Sequence, residues 1–240
     1  MKYYITGSHG FIGEALCKYL GVDMVDRQDR ARMPGNYVEG STVINLSAYG
    51  NHSYQTKVAD TLWSNIGFVH LLANEFYKSK AAKLYNISTS SVTLPVQTLY
   101  SASKLLGEKI IESYNDPRMV NIRPYSVYGP GEALHRFIPT VIKHLNNGDM
   151  MQLDPNAVHD WIYIDDFIRL MFEGETEIGT GVQYTNMQVV RMLEQISGKQ
   201  LIYQSIPLRS YDTDNWHAPK ILQARSLFEG LKQTYEHFTR

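Results

Sequence analysis

The chain has 240 residues, with 23 basic against 24 acidic side chains and a formal net charge of −1. That balance gives no electrostatic reason to expect nucleic acid or an anionic membrane as partner, and 43% hydrophobic with 20% charged residues excludes a disordered chain. The single cysteine, Cys17, excludes an intrachain disulfide framework and a cysteine-rich zinc site.

The sequence opens on Met1-Lys2-Tyr3-Tyr4-Ile5 and runs straight into a glycine motif, without the pattern of a secretory signal. No apolar run approaches the roughly 18 residues of a membrane span. A cytoplasmic protein with no membrane partner is expected, built as one large domain or one domain with a small appendage. Tyr3–Thr6 is a short first strand. Glu14–Leu20 is predicted helical, Val22–Val25 a second strand, and Thr42–Leu46 (TVINL) a buried strand. Asp60–Lys78 is predicted as one long helix, with Leu62, Ile66, Val69, Leu72, Ala73 and Phe76 near helical period. Lys83–Ile87 reads as a strand, Ser101–Tyr114 as a helix stopping before Asn115-Asp116-Pro117, and Met119–Arg123 as a strand. Strands separated by helices predict an α/β fold, a Rossmann-type doubly wound parallel sheet. Beyond Gly131 the texture changes. Phe137–Leu145 is predicted helical, Trp161–Ile164 a strand, Asp165–Phe172 a helix capped by Asp165, and Val189–Ser197 and Ile221–Phe228 later helices. The expected division is a dinucleotide-binding domain over 1–130, with possible return of the chain after 150, and a small α/β substrate lobe over 131–240.

Thr6-Gly7-Ser8-His9-Gly10-Phe11-Ile12-Gly13 has the form G-x-x-G-x-x-G between a predicted strand and helix. Gly7 permits a tight turn, Gly10 lets backbone amides approach a pyrophosphate, and Gly13 lets helix and strand pack closely. The helix N-terminus offers free N–H groups and a positive dipole end to an anion. Asp26 follows Gly7 by 19 positions at the end of the second predicted strand. A carboxylate there accepts hydrogen bonds from ribose hydroxyls and repels a 2′-phosphate, which favours NAD over NADP. Arg27 and Arg30 are the counterweight, since either could pair with that phosphate.

Tyr100-Ser101-Ala102-Ser103-Lys104 opens a predicted helix, and residues at i and i+4 share one face. A nearby ammonium stabilises a phenolate, so this tyrosine could exchange a proton with a hydroxyl or carbonyl oxygen while hydride moves to or from a nicotinamide. The lysine could also hydrogen-bond the nicotinamide ribose. The eight histidines have no metal-ligand spacing, and Asp165-Asp166 reads as a helix cap, so no metal site is expected.

Several strings occur in a telling order: TGSHGFIG, VINLSA (Val43–Ala48), Asn65 within the next helix, YNISTSSV before YSASK, LLGE (Leu105–Glu108), RPYSVYGPGE (Arg123–Glu132) and HDWIYIDD (His159–Asp166). In this order the chain resembles the extended short-chain dehydrogenase/reductase superfamily, in its NAD-dependent nucleotide-sugar epimerase and dehydratase branch. That resemblance implies Tyr100 as catalytic acid/base, Lys104 as its partner and Thr89 as the third catalytic hydroxyl, with Ser88 or Ser90 in that place if the loop shifts by one. It implies cofactor contacts from Gly7, His9, Gly10, Phe11, Ile12 and Gly13, from Asp26 and Arg27, from Leu46, Ser47 and Ala48, and from Asn65, Tyr100, Lys104, Tyr125 and Val127. Substrate contacts are implied for Ser90, Ser126, His159 and Arg209, and a homodimer through the helices Asp60–Lys78 and Ser101–Tyr114.

The departures from the family pattern narrow the expectation. Ser90-Ser91 stands where 4,6-dehydratases of the branch carry Asp-Glu, which argues against that elimination. Only 11 positions separate Thr89 from Tyr100, Thr93-Leu94 replaces the usual Tyr-Gly, and Arg27–Gly40 is too short for the usual helix and strand. His159 replaces an arginine that meets the diphosphate in the family, a role Arg209 could take instead. The reaction implied is epimerisation of a nucleotide sugar through a transient keto-sugar. A keto-sugar reductase or dehydrogenase and a non-catalytic NAD sensor or scaffold are the alternatives.

Overall fold

The computed structural model describes residues 2–22, 37–52, 54–209 and 212–240. Asp26, Arg27 and Arg30, and the expected second strand beyond Val22, lie outside the described residues. The chain forms two compact units, one of Met1–Pro124 with Gly174–Thr176, the other of Tyr125–Glu173 with Glu177–Arg240.

The first unit is built on four parallel strands in the order β1 (Tyr3–Thr6), β2 (Thr42–Asn45), β3 (Lys83–Ile87) and β4 (Met119–Pro124). Between them run α1 (Phe11–Leu20), α2 (Val58–Leu62), α3 (Phe68–Tyr77) and α4 (Leu99–Ser113). This is the α/β class with a parallel sheet that the strand–helix alternation predicts. The core joins Val43 and Leu84 of the sheet to Phe68, Val69, Leu72, Ala73 and Phe76 of α3 and Ile111 of α4, the helical spacing expected of a face turned to a sheet.

The single helix predicted over Asp60–Lys78 is in fact three pieces, with a π-helical turn at Trp63–Gly67 between α2 and α3. The wider turn shifts the phase of the helix. Gly67 makes room for it, since a Cβ there would lie 2.8 Å from the Trp63 ring. At the far side of α4, Glu108 is fully buried, and its carboxylate takes Arg123 Nη2 at 2.7 Å and Nε at 3.0 and 3.2 Å.

In the second unit β5 (Ser126–Tyr128) pairs parallel with β7 (Val158–Tyr163), and β9 (Gln183–Thr185) pairs antiparallel with β7. β6 (Met150–Leu153) pairs parallel with β10 (Ile202–Ser205), and β8 (Glu177–Ile178) follows α6 in the chain. The helices are α5 (Phe137–Asn147), α6 (Ile164–Glu173), α7 (Asn186–Ser197) and α8 (Leu227–Phe238). Asp165 is not a cap: it sits inside the first turn of α6, which starts at Ile164. The helix predicted over Ile221–Phe228 starts only at Leu227, because Ser226 and Glu229 form a reciprocal capping box there. Asp160 is fully buried and satisfied by four bonds, from Thr180 N and Oγ1 at 2.7 Å each, Gly181 N at 2.8 Å and Ala218 N at 2.9 Å.

Removing one partner of a buried ion pair strands the other charge. Arg123→Met should therefore destabilise the protein by about 3–5 kcal/mol, read as a lowered urea midpoint; an unchanged midpoint would show that Glu108 finds another partner.

Candidate active site

The carboxyl ends of β1, β2 and β3 carry the residues singled out by the sequence. At the end of β1, Gly7 has φ +68, and a Cβ there would lie 3.0 Å from the Leu46 carbonyl carbon. Gly10 is the N-cap of α1 and donates its N–H to Gly7 O at 3.0 Å. A Cβ on Gly13 would fall 2.3 Å from Gly7 O, inside hard contact. The two outer glycines are thus steric requirements of the turn. No side chain caps α1, so its first-turn N–H groups remain for an anion. His9, Phe11 and Ile12 lie in the same turn and first helical residues. The Ser8 hydroxyl is buried without a partner among the described residues.

Leu46, Ser47 and Ala48 leave the end of β2 beside this turn. Leu46 N donates to Thr6 O at 3.2 Å and Ser47 N to Thr6 Oγ1 at 3.3 Å. Asn65, within the π-turn, is fully buried. Its Nδ2 donates to Tyr49 O at 2.8 Å and Ser103 Oγ at 2.9 Å, and its Oδ1 accepts Tyr49 N at 3.2 Å. Both amide hydrogens are spent inside the protein, so Asn65 ties the loop after β2 to α4. Gly107 allows the close approach, since a Cβ there would meet Asn65 O at 2.5 Å.

Tyr100 lies in the first turn of α4, behind a capping box of Thr98 and Ser101. Lys104, one turn on, is 2% exposed and donates Nζ to Ile87 O at 2.5 Å. Burial pulls its ammonium down to about 8, and the charge of Glu108 opposes that pull. Two residues after Ile87, Thr89 caps a single 3-10 turn over Ser90–Thr93. Its Oγ1 accepts Ser91 N at 3.2 Å and lies 3.0 Å from Ser91 Oγ. Ser90 is buried at 1% exposure, and the Ser88 hydroxyl is buried without a partner among the described residues. The glycine turn, residues 46–48, Asn65, Thr89, Tyr100 and Lys104 all belong to the first unit.

Tyr125, Ser126, Val127, His159 and Arg209 belong to the second unit. Ser126 Oγ is 3.3 Å from His159 Nδ1, and the His159 ring lies 5.1 Å from both Trp161 and Trp216. Trp216 in turn meets Tyr125 at 6.3 Å. Val127 is 9% exposed. Arg209 is gripped by Asp212 through two bonds of 2.9 Å. Burial lowers His159 to about 4, with the positive charges of Arg209 and Arg136 adding to the effect and Asp212 opposing it. Arg136 sits 3.6 Å from Glu132, whose carboxyl burial pushes up to about 7 against the pull of Arg136.

A family model described as the NAD dependent epimerase/dehydratase family matches residues 20–177. The chain belongs to this family. The match begins after the glycine turn, so the turn is evidence separate from it. CDP-abequose synthase of Salmonella muenchen is 29% identical over 136 residues, which are 50% of this chain and 46% of that protein. The aligned region thus spans under half of that relative's length. UDP-glucuronic acid 4-epimerase from Bacillus cereus, solved with UDP-glucuronic acid and NAD, superposes with a TM-score of 0.86 at 21% identity, covering 99% of both chains. TunA, an NAD dependent NDP-hexosamine 5,6-dehydratase, superposes at 0.77 with 20% identity, covering 99% of this chain and 97% of that one. These likenesses establish the Rossmann-type epimerase fold.

Sequence reasoning did not single out Arg136, whose charge acts on His159, or its partner Glu132. RPYSVYGPGE contained Glu132, but its motif gave no sign that the carboxyl is buried. Lowering of a histidine's pKa means that folding opposes its protonation, so stability tied to His159 is present above its unfolded value near 6.5 and is lost as pH falls towards 4. An NMR titration should show the His159 ring neutral at pH 5.5, and a midpoint above 6 would contradict the packing described.

Proposed function

We propose that this chain holds NAD at the carboxyl ends of β1 to β3 and interconverts epimers of a nucleotide-activated sugar through a transient keto-sugar. The observation that carries the reading is Tyr100 placed one helical turn before a buried lysine amine, on an element tied by that amine to the end of β3, two residues before Thr89. The residues suit a dinucleotide: the N-terminus of α1 and the glycine backbone supply N–H groups for a pyrophosphate, and the buried Ser8 hydroxyl lacks a partner among the described residues. The preference for NAD over NADP rests on Asp26.

Held there, NAD would supply a reversible hydride acceptor for the carbon bearing the sugar hydroxyl, and return of the hydride to the opposite face would invert that carbon. Tyr100 takes the hydroxyl proton and later gives it back. Lys104 and the positive end of α4 favour negative charge at that phenol. Thr89 Oγ1 accepts the Ser91 N–H, and with the Ser91 hydroxyl 3.0 Å away donating to it as well, its own hydrogen is left to donate to the reacting oxygen. Ser90 and Ser91 offer no acid/base pair for 4,6-dehydration. In the second unit, Ser126, His159 and Arg209 are assigned to the nucleotide sugar, with His159 contacting it as a neutral ring. A second reading is a one-way keto-sugar reductase using the same Tyr100 and Lys104; steady consumption of NADH would distinguish it.

Tyr100→Phe should lower turnover by about a thousandfold or more while leaving NAD affinity within about twofold. Unimpaired turnover in that variant would remove the assignment. Leu62, Trp63, Leu71, Leu99 and Leu106 are exposed on α2 to α4 and the intervening turn, the helices expected to pair with a second copy. Light scattering at micromolar concentration should give a dimeric mass, and a monomeric mass would refute the pairing.

A further inference from the structure

A parallel sheet covered on both faces is ordinarily lined with aliphatic side chains. Across this one runs a line of amides instead. Thr6, Asn45, Asn86 and Asn121 are register partners on β1, β2, β3 and β4, so their side chains lie on one face. Thr6 Oγ1 donates to Asn45 Oδ1 at 2.7 Å, Asn45 Nδ2 to Asn86 Oδ1 at 2.9 Å, and Asn86 Nδ2 to Asn121 Oδ1 at 2.8 Å. Asn121 Nδ2 then donates to the Glu108 carbonyl on α4 at 3.2 Å. Asn45 and Asn86 are 0% and 1% exposed.

The direction of this line follows from its chemistry. A carbonyl can only accept, so Asn121 must turn its NH2 towards Glu108 and its oxygen towards Asn86. The same constraint passes to Asn86 and Asn45 and forces the Thr6 hydroxyl to donate. The Thr6 oxygen is then left as acceptor for the Ser47 N–H, the bond seen at 3.3 Å. Aligned hydrogen bonds polarise one another. Stability alone does not account for the arrangement, since well-packed apolar side chains in place of a buried polar network are often neutral or stabilising.

One end of the line lies beside the glycine turn, where it fixes Thr6 and Ser47, and the other reaches the helix that carries Tyr100 and Lys104, at Glu108 one turn past Lys104. We infer that the Thr6–Asn45–Asn86–Asn121 line is a positioning device that sets the dinucleotide-binding turn against the catalytic helix. This deepens the proposed function and, for its effect on NAD, rests on it.

Two readouts test it in the full chain: hydrogen exchange at the Ser47 amide, which needs no ligand, and the dissociation constant for NAD. Thr6→Val should speed Ser47 exchange and weaken NAD binding about tenfold, the scale of one lost hydrogen bond, and Thr6→Ser should keep both near wild type. Asn86→Leu, two strands from Thr6, should shift both readouts in the same direction, and the double variant should be little worse than either single one. If Asn86→Leu does not fold, Asn121→Leu at the partly exposed end takes its place. Wild-type Ser47 exchange in folded Asn86→Leu or Asn121→Leu would overturn the inference, as would fully multiplicative effects in the double variant. If the wild-type chain binds no dinucleotide, the proposed function fails, and the line is judged on Ser47 exchange alone.

Discussion

The hydrogen bond from Lys104 Nζ to the Ile87 carbonyl holds the candidate site together. A buried ammonium is costly unless it is bonded and opposed by charge. Ile87 supplies the bond, Glu108 supplies the charge, and Arg123 in turn holds Glu108. Because Ile87 stands two residues before Thr89 and Lys104 four after Tyr100, the same contact ties the stretch carrying Thr89 to the helix carrying Tyr100. Catalytic groups placed by a helix and a strand end are held more rigidly than groups placed by loops. Asn65 adds a second tie, between α4 and the loop that follows β2.

The second unit has a different character. Where the family pattern has an arginine, His159 lies between two indoles, next to Ser126 and within the field of Arg136 and Arg209. A neutral ring among aromatic faces offers shape and a hydrogen bond in place of an arginine's charge, and the positive charges that act on it are those of Arg136 and Arg209. Asp160 anchors the surroundings by drawing the backbone at Thr180, Gly181 and Ala218 onto one carboxylate. Gly179 is required beside it, since a Cβ there would meet Asp160 Oδ2 at 2.3 Å.

What could be read from the sequence was local. The glycine turn and YSASK are short strings whose spacing carries their chemistry, so the parallel α/β sheet and the Tyr100–Lys104 pair followed from periodicity and position. Contacts between distant positions could not be read. Thr6, Asn45, Asn86 and Asn121 are 35 to 41 residues apart in sequence, and only strand register brings their side chains into line. The Asp60–Lys78 helix was misjudged because a π-turn leaves the apolar spacing almost intact while changing the phase. Ile221 looked like the start of an apolar helix face but is 82% exposed, and the local signal that mattered was Ser226 with Glu229.

The central claim is that this site oxidises a sugar and reduces it again without net loss of NAD. The most direct test mixes the NAD-loaded protein rapidly with a panel of nucleotide sugars and follows the absorbance of reduced nicotinamide. With the true substrate the account predicts a brief rise that decays to baseline while both epimers accumulate. No signal with any sugar nucleotide, or a rise that stays with one product formed per NAD consumed, would contradict it.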